Sequence, residues 1–164
     1  MKVKNIVVSV QKEKSNNFDR LLKIINERKI RLIIVDMGDK LEIEKDVYFD
    51  IVWPDKSNLI SENALNNNSI VCKLNYQNFS CLFTGDIEKI AEEKILKEHQ
   101  NDKTILHSTV LKAAHHGSKT SSIKELLETV NPKMALIGVG KNNKFGHPSP
   151  EVLERLENLR NESF

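Results

Sequence analysis

The chain has 164 residues, of which 39% are hydrophobic and 29% are charged, a composition that suits one folded domain with an ordinary charged surface. Its net charge of +2 favours no class of charged partner. No stretch approaches the roughly 18 to 20 uninterrupted apolar residues that a membrane helix requires. The short apolar run near the N-terminus lacks the length and the cleavage site of a signal peptide. We therefore expect residues 1–164 to form a single soluble domain.

The first third of the sequence predicts a strand, a helix and a strand. β-Branched runs at 5–10 and 31–36 are typical of strands, and the segment 16–29 between them has apolar residues at helical spacing. These residues are Phe18, Leu21, Leu22 and Ile25. The pattern indicates a βαβ unit. Residues 40–54 then predict two short strands, and the Asn- and Ser-rich segment 55–68 predicts a loop.

The rest of the sequence continues this alternation. In order, the predicted elements are a hairpin over 69–86, a helix over 87–99, a strand over 108–114, a helix over 122–130, a strand over 133–140 and a helix over 149–159. Ser149 as N-cap, with Pro150 at the first helical position, is a strong start signal for the last helix. The order of elements predicts an α/β layered domain.

Two cysteines lie in the hairpin, which we expect to turn at Gln77-Asn78. In that register Leu74 faces Cys81, so that Cys72 and Cys81 are diagonal neighbours on one face of the sheet. We expect this face to be buried. Diagonal neighbours there suit two small apolar side chains better than a disulfide or a metal clamp.

Three predicted strands end in residues that can bind a metal. Asp86 ends the hairpin, the pair His115-His116 ends the next strand, and His147 lies in the loop after the third. Strands of one sheet that end at the same edge bring their loops together. A carboxylate and imidazoles from separate loops are the ligands of zinc, manganese or iron sites, in which metal-activated water attacks a phosphodiester or acyl centre.

Each of these residues also has a simpler interpretation. Asp86 is a good N-cap for the helix that follows it. His115 and His116 precede a glycine and a serine, and His147 lies between Gly146 and Pro148, so turn chemistry alone accounts for both motifs. The residues by themselves do not decide between a metal site and ordinary turns.

The charge distribution adds a weak signal. Residues 111–150 contain six lysines against two acids, a local excess of four positive charges around the histidines. Such an excess favours ligands that carry phosphate. A solvated fringe of lysines explains it equally well. The lysines are Lys112, Lys119, Lys124, Lys133, Lys141 and Lys144.

The combination "TGD", "HHGS" and "NNKFGHPSPEVL", in this order and spacing, resembles the metallo-β-lactamase-like domain of the ComEC family of bacterial DNA-uptake (competence) proteins. The resemblance runs from about residue 4 to residue 157. It implies a metal-dependent nuclease or phosphodiesterase that uses zinc or manganese and acts on DNA or another phosphodiester. The parent family consists of integral membrane proteins.

The resemblance also implies roles for individual residues. Asp86 matches a metal-bridging aspartate, and His116 matches a metal-ligand histidine, with His115 beside it as an alternative ligand. Three further residues fall on signature positions that face the site or the substrate phosphate and are expected to serve catalysis. These are Lys112, Ser118 and His147.

One motif of the family, H-x-H-x-D-H, does not occur in the 164 residues. The resemblance therefore implies half of a metallo-β-lactamase-type αβ/βα sandwich, with one mixed sheet and flanking helices on one face. The uncovered face predicts a homo-oligomer, or else a rearrangement into a closed single-sheet domain. Two functions remain open: a metal-dependent hydrolase, inactive as this chain, and a non-catalytic remnant that binds ligands or oligomerises.

Overall fold

The computed structural model describes residues 3–10 and 15–161, with side chains as far as residue 159. Its strands are β1 (Asn5–Ser9), β2 (Arg31–Val35), β3 (Lys40–Glu44), β4 (Val47–Trp53), β5 (Val71–Tyr76), β6 (Phe79–Phe83), β7 (Val110–Lys112) and β8 (Met134–Leu136). Its helices are α1 (Asn16–Glu27), α2 (Ala64–Asn67), α3 (Lys89–Glu98), α4 (Lys124–Val130) and α5 (Pro150–Asn161). No helix in these ranges is long and apolar enough to cross a membrane.

The strands form two sheets. A six-stranded mixed sheet has the order β3-β4-β5-β6-β7-β8, and β1 and β2 form a separate parallel pair. Strands β3 to β6 are antiparallel neighbours, whereas β6, β7 and β8 run parallel to one another. The predicted mixed α/β class and the mixed sheet are confirmed. The prediction of a single sheet was wrong. The two strands of the predicted βαβ unit pair with each other in a separate sheet and not with the other six strands.

Most predicted elements are present, with shifted ends. Helix α1 begins after Ser15, whose hydroxyl accepts a hydrogen bond from the Phe18 amide at 3.2 Å, and α5 begins at Pro150 as predicted. The segment 55–68 is not entirely a loop, because it contains the short helix α2. Residues 11–14 lie outside the described part of the chain.

Helices α3, α4 and α5 pack against one face of the large sheet, the core face. Strand residues Val71, Leu82 and Leu111, each about 1% exposed, point toward α3 and α4 on this face. Trp53 is fully buried, and its indole N–H donates to the Asn67 carbonyl at 2.7 Å, which fastens α2 to the core. Side chains alternate along a strand, so the neighbouring residues lie on the other face.

That other face is apolar and partly exposed. Registers across β4 to β8 place one continuous set of side chains on it, here called the open face. Ile51 and Cys81 are buried there, and the members are Val47, Phe49, Ile51, Cys72, Leu74, Tyr76, Phe79, Cys81, Phe83, Val110, Lys112, Met134 and Leu136. The exposed fraction reaches 46% at Tyr76, 58% at Met134 and 48% at Leu136. These side chains leave an apolar surface exposed to solvent.

The cysteines lie on the open face, where Cys81 is buried as predicted, at 5% exposed, and Cys72 is partly buried. The hairpin register itself is confirmed: Leu74 pairs with Cys81, and the turn is at Gln77-Asn78. Both thiols are free. Burial raises the pKa of the Cys72 thiol to about 11 and also raises the pKa of Cys81, which keeps both as inert thiols.

A buried carboxylate connects α3 to the start of α4. Glu92 is 0% exposed, and its two oxygens accept hydrogen bonds from the Ser122 and Ile123 amides at 2.6 and 2.8 Å. The Arg155 guanidinium donates to the carbonyls of Ser121 and Ser122 at 3.0 and 2.6 Å. Glu92 thus binds amide donors at the N-terminus of α4, where Ile123 as N-cap supplies no side-chain acceptor.

Glu92 makes the stability of the protein depend on pH. Burial raises its pKa from 4.5 to about 7, against the opposing effect of the two amides and Arg155. Because the folded state holds this proton more tightly than the unfolded state, the contribution of Glu92 is complete below pH 4.5 and is lost as pH rises through 7. We expect Glu92→Gln to have a lower free energy of unfolding than the wild type at pH 5. This difference in the free energy of unfolding should narrow by up to about 3 kcal/mol by pH 8.

Chemical denaturation at a series of pH values measures this difference. Glu93→Gln, at an exposed position on the same helix, is the matched control, and its difference from the wild type should stay constant. If the free energies of unfolding of the wild type and of Glu92→Gln changed equally with pH, the buried carboxyl would not titrate in this range.

Candidate functional site

Parallel pairing of β6, β7 and β8 brings the three candidate segments to one edge of the sheet. Phe83, Lys112 and Leu136 are register partners near the carboxyl ends of these strands. Asp86 follows the first strand, His115 and His116 follow the second, and the loop with His147 follows the third. The structure thus places the candidate side chains next to one another.

Asp86 is not the N-cap of the helix that follows it. Helix α3 begins at Lys89, two residues later than the sequence predicts, and its N-cap is Glu88. Asp86 instead lies in a turn and is 43% exposed at its side chain. Its carboxylate is therefore available for a role other than helix capping.

The two histidines lie on an unusual backbone. His115 has φ 46° and ψ 43°, His116 has φ 56° and ψ 24°, and Gly117 has φ 77°. A left-handed conformation at a non-glycine residue costs about 1–3 kcal/mol and persists only where the surroundings enforce it. The His115 amide donates to the Gly85 carbonyl at 3.1 Å and the Ser118 amide to the His115 carbonyl at 2.9 Å, and these bonds hold the turn.

The His116 ring has one fixed nitrogen and one available nitrogen. Nδ1 lies 2.5 Å from the Gly138 carbonyl, and because a carbonyl only accepts, Nδ1 carries the proton. In the neutral ring Nε2 then has a free lone pair, and it lies 3.7 Å from Asp86 Oδ1. Metal-binding histidines characteristically donate their other N–H to a carbonyl or carboxylate in this way.

His115 turns toward a different carboxylate. Its Nδ1 is buried and lies 3.5 Å from Glu88 Oε1, a contact outside hydrogen-bonding geometry. Glu88 is held by the Thr120 hydroxyl at 3.2 Å and the Asn63 amide at 2.9 Å, and its own backbone amide donates to the Asn67 side chain. Neither Glu88 nor Asn67 was predicted from the sequence.

His147 lies between two rings. Its imidazole meets His115 edge-on, with centroids 6.0 Å apart, and stacks on Phe145 at 5.9 Å with an interplanar angle of 18°. The His147 amide donates to the Asn143 side chain at 3.0 Å, and Asn143 donates back to the His147 carbonyl at 2.8 Å. His147 therefore touches the site through His115, while its Nδ1 is buried without a hydrogen-bond partner.

Lys112 and Ser118 make local contacts. The Lys112 ammonium donates to the Ala113 carbonyl at 3.1 Å and lies on the open face. The Ser118 hydroxyl is buried and pairs with the Thr120 hydroxyl at 3.0 Å. Their expected roles in catalysis stay predictions.

Asp86 and His116 are spaced as two ligands of one metal ion would be. Their 3.7 Å separation is longer than a hydrogen bond and close to the about 3.4 Å expected between two ligands of one zinc ion. Catalytic zinc has three protein ligands, and within residues 3–10 and 15–161 no group of three His, Cys, Asp or Glu side chains can hold a metal. The described residues therefore do not complete a metal site by themselves.

Gly117 joins the histidine turn to the loop of His147. A Cβ added at Gly117 would lie 2.8 Å from Pro148 Cβ, and the Ser149 amide donates to the Gly117 carbonyl at 2.8 Å. Because φ is also positive, Gly117→Ala combines backbone strain of about 1–2 kcal/mol with a clash. We expect it to lower the free energy of unfolding by about 2 kcal/mol or more, measured by chemical denaturation.

Gly140→Ala is the control for this substitution. Gly140 has no positive φ, and no atom lies within 4 Å of the added Cβ, so its stability should stay within about 0.5 kcal/mol of the wild type. Equal effects of the two substitutions would contradict the role assigned to Gly117.

No protein-family model matches the chain, but individual proteins do. ComE operon protein 3 of Bacillus subtilis is 33% identical over 156 residues, which are 95% of this chain and 19% of that protein. Recombination protein 2 of Haemophilus influenzae is 33% identical over 114 residues, 70% of this chain and 13% of that protein. Competence protein ComA of Neisseria gonorrhoeae is 31% identical over 110 residues, 67% of this chain and 15% of that protein.

The chain spans less than a fifth of the length of these relatives. The match to the Bacillus subtilis protein nevertheless includes almost the whole chain, and two of the three relatives are named for competence or its operon. The chain belongs to the ComEC family of competence proteins.

Proposed function

We propose that this chain supplies part of a metal-dependent phosphodiesterase site that acts on nucleic acid. Asp86 and His116 are the proposed metal ligands, and His115 and His147 adjoin them. The observation that carries the proposal is the His116 ring, whose Nδ1 is committed to the Gly138 carbonyl while Nε2 lies 3.7 Å from Asp86. An imidazole held in one tautomer opposite a carboxylate is suited to metal binding.

Nucleic acid is the proposed substrate for two reasons. The relatives are named for competence and for recombination. The six lysines of residues 111–150 against two acids give the region around the histidines an excess of positive charge, which favours phosphate. Lys119, Lys141 and Lys144 are exposed in the loops that adjoin the histidines.

The chain by itself is proposed to be inactive. Asp86 and His116 are two ligands where catalytic zinc requires three, so further ligands must come from outside the described residues. Each partner that orients a ligand is worth about 10- to 100-fold in metal affinity, and the loss of whole ligands costs more.

We expect the purified chain to retain no stoichiometric zinc or manganese after dialysis and to show no more than trace hydrolysis of DNA. Titration with zinc should reveal weak, saturable binding that shifts the His116 ring signals in NMR, and Asp86→Ala and His116→Ala should each abolish it. His107→Ala is the control, since His107 is exposed in the loop before β7, and should leave the binding unchanged.

One equivalent of tightly held metal, lost in both variants, would disprove inactivity. Zinc binding that both variants retain would disprove the ligand assignment.

The open face favours a second candidate function, self-association. Phe83, Met134 and Leu136 are 36%, 58% and 48% exposed on adjacent strands, and the proposed occupant is the same face of a second copy. An isologous contact of this kind is the commonest way in which a soluble protein covers an apolar patch.

We expect sedimentation velocity to show a concentration-dependent dimer that Leu136→Glu dissociates, because a carboxylate would be desolvated in the contact. Ile34→Glu is the control, since Ile34 is 59% exposed in the separate sheet of β1 and β2. A wild-type monomer at all concentrations, without binding of an apolar dye, would rule out the open face as a contact surface.

A further inference from the structure

Phe145 is the most exposed large apolar side chain among the described residues, at 82%. Its ring is not free to turn at random, because it stacks on His147 at a centroid distance of 5.9 Å. His147 in turn meets His115 at 6.0 Å. The three rings form a column from the candidate site to the surface, and the outer face of the last ring is open to solvent.

The loop that carries Phe145 is pinned at its base. Asn143 donates to the carbonyls of Gly140 and His147 and accepts from the His147 amide, at 3.2, 2.8 and 3.0 Å. Three side-chain hydrogen bonds within one short loop fix the position of its tip. Phe145 is therefore presented by an organised loop, which reduces the entropy lost when its ring is covered.

The surroundings of Phe145 are polar and basic. Lys141 and Lys144 precede it in the loop and are exposed, and the sequence has no acidic residue between Glu128 and Glu151. The other residues of the segment 141–147 are asparagine, glycine and histidine, so the immediate sequence neighbours of the ring are polar, and the exposed Val139 lies earlier in the same connection. An exposed aromatic ring in a basic segment matches a nucleotide, which has a flat base and a negative phosphate.

We propose that Phe145 is a stacking platform for an unpaired base of single-stranded nucleic acid, with Lys141 and Lys144 at the flanking phosphates. This inference rests on the proposed function, because it takes nucleic acid as the partner. Base stacking on an aromatic side chain tolerates any sequence and needs a base free of its complement. The platform thereby favours single strands over duplex and directs the backbone of the strand toward His115 and His116.

The test compares two labelled oligonucleotides in fluorescence anisotropy, with EDTA present and at low salt. One is an oligo-dT, and the other has the same backbone without bases. We expect Phe145→Ala to weaken binding of oligo-dT by about 10- to 100-fold and to leave binding of the abasic strand unchanged. Phe145→Trp should retain the affinity of the wild type, and its indole fluorescence should be quenched by the bases. Ile34→Ala, at a position 59% exposed in the separate sheet of β1 and β2, is the control and should bind both strands as the wild type does.

Charge and stacking are separated by a second variant. Lys144→Ala should weaken binding of both strands and reduce the slope of affinity against salt by about one. The inference is overturned if the wild type binds no single strand at low salt, if Phe145→Ala binds oligo-dT as tightly as the wild type, or if Phe145→Ala loses affinity for oligo-dT and for the abasic strand equally.

Failure of this inference can be distinguished from failure of the proposed function. Binding is measured without metal and without hydrolysis, so Asp86→Ala and His116→Ala should keep the preference for oligo-dT over the abasic strand. If these variants also retain zinc binding, the metal site is wrong and the stacking platform stands. If Phe145→Ala has no effect while zinc binding depends on Asp86 and His116, the platform is wrong and the metal ligands stand.

Discussion

The parallel pairing of β6, β7 and β8 is the constraint on which the candidate site depends. An antiparallel sheet would send alternate strand ends to opposite edges, whereas three parallel neighbours deliver theirs to the same edge. Only three register pairs join β7 to each neighbour, so the short strand has few bonds of its own. The Thr84 hydroxyl, which donates to the Lys112 carbonyl at 2.6 Å, and the buried Leu111 stabilise it. The core thus fixes the edge at which Asp86, His115 and the loop of His147 meet.

The turn after β7 has a strained backbone that orients the two histidine side chains. Two consecutive left-handed histidines are unfavourable in isolation, and an ordinary turn of Gly and Asn would be easier to form. With this backbone the two imidazoles point in different directions. His116 contacts Asp86 and the Gly138 carbonyl, and His115 contacts Glu88. An extended backbone would also have separated adjacent side chains, but it would have continued the strand away from both carboxylates. The strain at this turn is therefore consistent with function.

The sequence predicted the parts of this structure that short-range patterns encode. Alternation identified the hairpin register, and the three polar strand ends identified which segments meet. Sequence periodicity shows that Cys72 and Cys81 share a face of the sheet, but it does not show that the helices cover the opposite face. Glu88 and Glu92 were not predicted from the sequence. Their partners, such as Asn63, Ser122 and Ile123, lie about 25 to 31 residues away, and no local pattern records such contacts.

The open face and the candidate site are adjacent, which connects the two proposed functions. Phe83 lies on the open face three residues before Asp86, and Lys112, on the same face, lies three residues before His115. A second chain that covered this face would therefore border the Asp86–His116 pair. It would exclude water from one side of the pair, which strengthens electrostatic interactions there. Covering the apolar face and shielding the Asp86–His116 pair are thus geometrically compatible, because the same strands carry the face and lead into the pair.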